Sequence, residues 1–188
     1  YVLLLCIIAA LLALLPAIAA KAFCWQVPDF LRIFLYAYII GGILLGNVYD
    51  LYYRLPLWDK LLHFFSGVLF MVSGIILIKN FTEKGYLRLN GAFTIIVALL
   101  FTVAMGTLWE FVEYGIDCWL NVNMQRYMLP GGTPLQGQQA LHDSMLDMLG
   151  AFFGAVITSI FLAIRSARGK AARRLPSADA TTRTTTQT

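Results

Sequence analysis

The chain of 188 residues is 60% hydrophobic and 13% charged, with 14 Lys and Arg against 10 Asp and Glu. A soluble domain is about 45–50% apolar and about 25% charged, so a mean hydropathy of +0.74 excludes a soluble globular domain, a disordered chain and a nucleic-acid binder. The formal charge of +4 describes no basic face, because 6 of the 14 cationic residues fall in the last 24 positions.

A helix needs roughly 20 apolar residues to cross a hydrocarbon core about 30 Å thick. Five stretches meet that length, at about 2–20, 31–48, 61–78, 92–117 and 141–164. The expected fold is therefore all-α: a polytopic transmembrane bundle of about five helices over 1–165, followed by a disordered, basic and Thr-rich cytoplasmic tail over 166–188. In the first stretch Ala17-Ile18-Ala19 imitates a signal-peptide cleavage site. Its apolar run is too long for that, and no basic segment precedes it, so it reads as a span. The chain begins at Tyr1 without Met, and further N-terminal sequence, including another helix, is expected before it. Gly42-x-x-x-Gly46 and Gly150-x-x-x-Gly154 offer surfaces for close helix packing. Cys6, Cys24 and Cys118 lack CxxC spacing and suggest neither a disulfide framework nor a zinc ribbon.

Orientation follows from Lys and Arg in short loops. Lys21, Arg32, Lys79, Lys84, Arg88 and the 165–174 segment fall on one side of a five-span chain, and only Arg54, Lys60 and Arg126 on the other. The C-terminus and the 79–91 loop are expected in the cytoplasm of a bacterium, and the 49–60 and 118–140 loops outside its inner membrane. Trp58 and Trp119 then lie at the outer boundary and Trp25 near the inner one, where amphipathic rings belong.

The informative residues are the ionisable ones. Asp59, Glu110, Glu113, Asp117, Asp143 and Asp147 lie at or inside the ends of the spans, and both histidines, His63 and His142, fall among them. A charge at the bilayer centre costs at least about 2.5–3.5 kcal/mol, so this concentration needs a cause. Asp59 and His63 are one helical turn apart, as are Asp143 and Asp147. Glu110, Glu113 and Asp117 span about 60° of one helix face. The third span begins on the outer side, the fourth ends there and the fifth begins there. All three groups share one depth and are expected to meet in one pocket.

Six carboxylates against Lys60 and Arg126 leave about four negative charges, which calls for retained protons or bound divalent cations. A helix N-terminus offsets part of this for Asp59, Asp143 and Asp147, but not for Glu110, Glu113 and Asp117. Carboxylates with imidazole suit zinc, manganese or iron, and pairs at i,i+3 and i,i+4 build di-metal sites in bundles. The expected ligands are Asp59, His63, Glu113, Asp117, His142, Asp143 and Asp147. Glu110 or Glu113 is the expected general base, and Lys60 and Arg126 the groups that hold an anionic substrate. Each residue also has a plainer reading: Asp59 as a helix cap, His142 as a loop residue, Asp117 as a headgroup-level acid, Asp143 as a first-turn acid, and the rest as a network fastening the bundle. Cys118 has no evident activating base and reads as structural. The long 118–140 loop, with turns at Pro130-Gly131-Gly132 and Thr133-Pro134, offers Gln125, Arg126, Gln136, Gln138 and Gln139 to a polar head group.

Asp59-Lys60-x-x-His63-x-x-x-Gly67, the WEFVEYGID end of the fourth span and the DSMLDMLGAFFG start of the fifth resemble a bacterial inner-membrane family typified by YjdF and, more distantly, VanZ-like proteins. The likeness covers roughly 50–165. VanZ-like members show Gln at the position of Glu113 and Asn at that of Ala151, so the YjdF-like resemblance is the closer. It implies a small polytopic protein with a polar pocket on its outer side, and no particular reaction. VanZ is associated with reduced sensitivity to a glycopeptide antibiotic.

The leading functional expectation is a metal-dependent hydrolase or transferase acting on a membrane lipid or envelope intermediate at the outer leaflet. The alternatives are a proton- or cation-coupled transporter, which with so few helices calls for a homo-oligomer, and a structural protein whose polar cluster only ties helices together.

Overall fold

The computed structural model describes residues 2–172, with side chains from 3 to 169. The chain folds into α1 (Val2–Ala22), α2 (Asp29–Ile39), a π-helical continuation of α2 (Ile40–Val48), a single turn α3 (Leu51–Arg54), α4 (Trp58–Glu83), α5 (Gly91–Leu120) and α6 (Gln138–Ala172). Five spans are long and apolar enough to cross a membrane, as expected. The longest extensions are in α4 and α6, where polar flanking residues such as Asp59, Lys60, Gln138 and Gln139 continue the helix. The expected boundary at 165 falls inside α6, and the Thr-rich remainder of the expected tail, 173–188, lies outside the described residues.

Two local features were not expected. The helix after Ile39 widens: Tyr49 N–H donates to the Leu44 carbonyl at 3.0 Å, a five-residue step. Gly41, Gly42 and Gly46 in this stretch weaken the preference for α geometry. Gly42 and Gly46 face the ring of Tyr52 rather than another span, and a Cβ on Gly46 would overlap that ring. Trp58 donates its indole N–H to the Gly41 carbonyl at 3.2 Å, fastening the start of α4 to this segment.

α4 is the central helix. It packs most extensively on α6, then on α5, and α2 with its π-helical continuation covers it from a further side. Its most apolar window is 44% buried, against 11% for α1 and for α5. The α4–α6 contact is close because small residues line it. A Cβ on Gly67 would overlap the Ala151 backbone, and one on Gly154 would meet the Phe64 carbonyl. Gly150-x-x-x-Gly154 therefore packs within the chain.

The two ends of the bundle differ. Toward the end carrying Lys21, Lys84 and Arg88, Met71, Ile78, Ala98 and Ala155 form an apolar core. Beyond it, Gln26 N–H donates to Asn80 Oδ1 at 2.7 Å, Lys84 donates to the Phe23 carbonyl, and Trp25 packs on Phe23 and Phe81. The other end is polar inside. Outward-facing Leu3, Leu11, Ile96, Leu100, Phe153 and Phe161 are exposed, an arrangement unfavourable in water by about 25 cal/mol per Å² and natural against lipid.

Candidate functional site

α4 begins at Trp58, with Leu57 at its cap position, so Asp59 stands inside the first turn rather than capping it. Asp59 and His63 follow one another up one face of α4. α6 begins early, at Gln138, which places Asp143 in its second turn and Asp147 one turn deeper. Gly67 and Gly154 let α6 pass close to this helix, and Gly150 lies over the His63 face, where a Cβ would make ordinary contact 3.5 Å from His63 Cβ. The close approach brings Asp147, 1% exposed, against residues that lie more than 80 positions earlier in the chain.

At the centre stands Lys60. Its ammonium donates to Asp143 Oδ1 at 2.5 Å, to Asp147 Oδ1 at 2.7 Å and to Asp59 Oδ2 at 3.2 Å. His63 Nε2 lies 3.7 Å from both Asp59 Oδ1 and Asp147 Oδ1. Arg126 reaches in from the α5–α6 loop, with Nη2 3.5 Å from Asp59 Oδ2 and Nη1 3.8 Å from Asp143 Oδ1. It also donates to the Tyr52 carbonyl at 3.4 Å.

The carboxylates of α5 form the opposite wall. Glu113 accepts from the Trp109 indole N–H at 2.7 Å, and Glu110 accepts from the Gln125 amide at 3.2 Å. The same amide nitrogen donates to Ser144 Oγ at 3.1 Å, tying α5, the loop and α6 together. Two buried carboxylate oxygens, Glu110 Oε1 and Asp143 Oδ2, have no hydrogen-bond partner among the described residues. A buried acceptor left unpaired costs about 1–3 kcal/mol and more when charged, so these oxygens are suited to a cation or to a substrate donor.

Not every expected residue joins the centre. Asp117, expected as a ligand, is buried with both oxygens already engaged: Oδ1 accepts from Met124 N–H at 2.7 Å and Oδ2 from Gln125 N–H at 3.0 Å. It anchors the loop that follows α5. Asn123 closes the next turn by exchanging hydrogen bonds with Met128, and Arg126 sits between them at a positive φ of 49°. His142 is exposed on α6 and stands outside the Asp59–His63–Asp147 group. Lys60, expected to hold substrate, is committed to the aspartates.

Three residues had not been singled out. Trp109 lies one turn before Glu113, a spacing that could have signalled it. Ser144 is hidden between Asp143 and Met145. Tyr38 of α2 reaches Ser66 and lies within electrostatic range of Glu113, Asp59 and Asp147. Its place depends on how α2 packs, which no spacing within α2 reveals.

Asp59, His63 and Asp147 are all buried and offer one ligand atom each, all within 4.8 Å of one another, so this group could hold a metal ion. Its two helices, α4 and α6, together with α5 carry the motifs on which the family resemblance rests. The sequence matches the family described as "Predicted membrane protein (DUF2238)" over residues 1–168.

The chain belongs to that family. This is the YjdF family, the closer of the two resemblances. A Thermotoga maritima relative described as "Uncharacterized protein" is 24% identical over 139 residues, covering 74% of this chain and 65% of the relative. The chain thus spans just under two thirds of that relative's length. No solved structure matches. Family and fold together make this DUF2238 chain a multi-pass membrane protein.

Proposed function

We propose that this protein is a metal-dependent hydrolase or transferase of the bacterial inner membrane, acting on an anionic lipid or envelope intermediate at the outer leaflet. The observation that carries the reading is the buried Asp59–His63–Asp147 group with its ligand atoms inside 4.8 Å. Ligands about 2.0–2.2 Å from a tetrahedral metal stand roughly 3.3–3.6 Å apart. The 3.7 Å separations around His63 Nε2 therefore need only a small adjustment. Three protein ligands and an open position are the pattern of catalytic zinc, and manganese or iron also suits imidazole with carboxylates.

A metal held there supplies an activated water. Glu110, whose Oε1 is unpartnered, or Glu113 serves as general base, and Arg126, with 32% of its side chain exposed, steadies an anionic group at the rim. Lys60 holds Asp143 and Asp147 in place. Transport is less well supported, because the apolar Met71, Ile78, Ala98 and Ala155 core lies between the acidic centre and the basic end.

The test is elemental analysis of detergent-purified full chain after exposure to zinc, manganese and iron. Wild type is expected to retain stoichiometric metal, while His63→Ala and Asp147→Asn lose it with helix content unchanged. Metal-free wild type under all three conditions overturns the reading.

A further inference from the structure

At the basic end, α1 and α2 diverge around a cleft of about 450 Å³ lined by Pro16, Ala17, Ala20, Lys21, Arg32 and Tyr36. We propose that this cleft binds the phosphate of an anionic phospholipid in the leaflet opposite the acidic cluster, with Lys21 and Arg32 as its two cationic contacts. Lys21 closes the last turn of α1 and Arg32 lies in the first turn of α2, so both stand at headgroup depth. Pro16 lies five residues before Lys21, about 7–8 Å deeper at 1.5 Å per residue. The small side chains of Ala17 and Ala20 leave the space between. The cleft thus offers charge at its mouth and an apolar floor, the division of a phospholipid itself.

Arg32 is only partly engaged within the chain. Nη1 lies 3.4 Å from Asp29 Oδ1, but the Asp29 side chain is 88% exposed, and such pairs contribute little. Arg32 Nε is buried without a hydrogen-bond partner among the described residues. With Lys21 and Arg32 against Asp29 the mouth keeps a net positive charge, and a guanidinium fork matches phosphate oxygens well. Basic pockets between spans on the cytoplasmic side are natural sites for anionic headgroups.

The test reconstitutes the full chain in nanodiscs of equal phosphatidylglycerol and phosphatidylcholine, and reads the lipid retained after detergent release by native mass spectrometry. Wild type is expected to keep phosphatidylglycerol preferentially. Lys21→Gln and Arg32→Gln should each lower that preference about five-fold, whereas Lys21→Arg and Arg32→Lys keep it. Excess inorganic phosphate should leave the lipid bound. Equal retention of both lipids by wild type, an unchanged preference in the glutamine variants, a second chain seated there instead, or displacement by inorganic phosphate overturns the proposal. Should Arg32→Gln fail to fold, Lys21→Gln, altered at an exposed side chain, decides alone.

Discussion

Lys60 is the residue on which the acidic centre depends. Its ammonium touches Asp59, Asp143 and Asp147, and removing one partner from a buried ion cluster costs about 3–5 kcal/mol because the remaining charges lose their compensation. Lys60→Met is accordingly expected to lower the melting temperature in detergent clearly. Added zinc or manganese should restore part of the loss, since a divalent ion supplies the missing charge. Arg126→Gln, at a half-open side chain, should cost less. A Lys60→Met protein that melts like wild type would mean that the ammonium does not organise the cluster. Asp59, His63, Asp143 and Asp147 were legible as ionisable residues at helical spacing in an apolar context. The engagement of Lys60 was not, because spacing gives a residue's face but not the partners its long side chain selects.

At the level of elements, the centre exists because α4 and α6 approach along small residues. Alanine at Gly67 or Gly154 would place a Cβ against backbone of the facing helix, which cannot swing aside as a side chain can. Overpacking of this kind costs about 1–3 kcal/mol. Gly67→Ala and Gly154→Ala should lower the melting temperature and reduce retained metal together, because separating the helices withdraws Asp147 from His63. Gly106→Ala, whose Cβ would lie 3.8 Å from Ala151 Cβ, is the matched control and should be nearly neutral by both measurements. The sequence marked Gly150-x-x-x-Gly154 as a packing surface, and it is one. It marked Gly42-x-x-x-Gly46 equally, and that pair receives Tyr52. Both motifs read alike because a glycine pair records where space is left and not what fills it.

Across the whole molecule, the polar centre with Lys60 and Arg126 and the end carrying Lys21, Lys84 and Arg88 lie opposite one another. Two native cysteines report on those ends: Cys118 near the end of α5, and Cys24 in the α1–α2 connection, both exposed. If the basic end faces the cytoplasm, a membrane-impermeant thiol reagent applied to intact cells should label Cys118 and spare Cys24 until the membrane is opened. Cys118→Ser, made together with Cys6→Ser because Cys6 is also exposed, should abolish the first signal. Labelling of Cys24 in intact cells would invert the orientation.

The number of spans, their approximate limits and the charge asymmetry were determined by the sequence alone, because crossing a bilayer is a requirement of length and apolarity read along one dimension. The common depth of Asp59, His63, Glu110, Glu113 and Asp147 followed from counting spans. Tertiary structure alone decided which of them touch. Helix rotation, set by the Gly67 and Gly154 contacts, turned Asp147 toward His63, and Asp117 was drawn off to hold the loop that carries Gln125 and Arg126 into the centre.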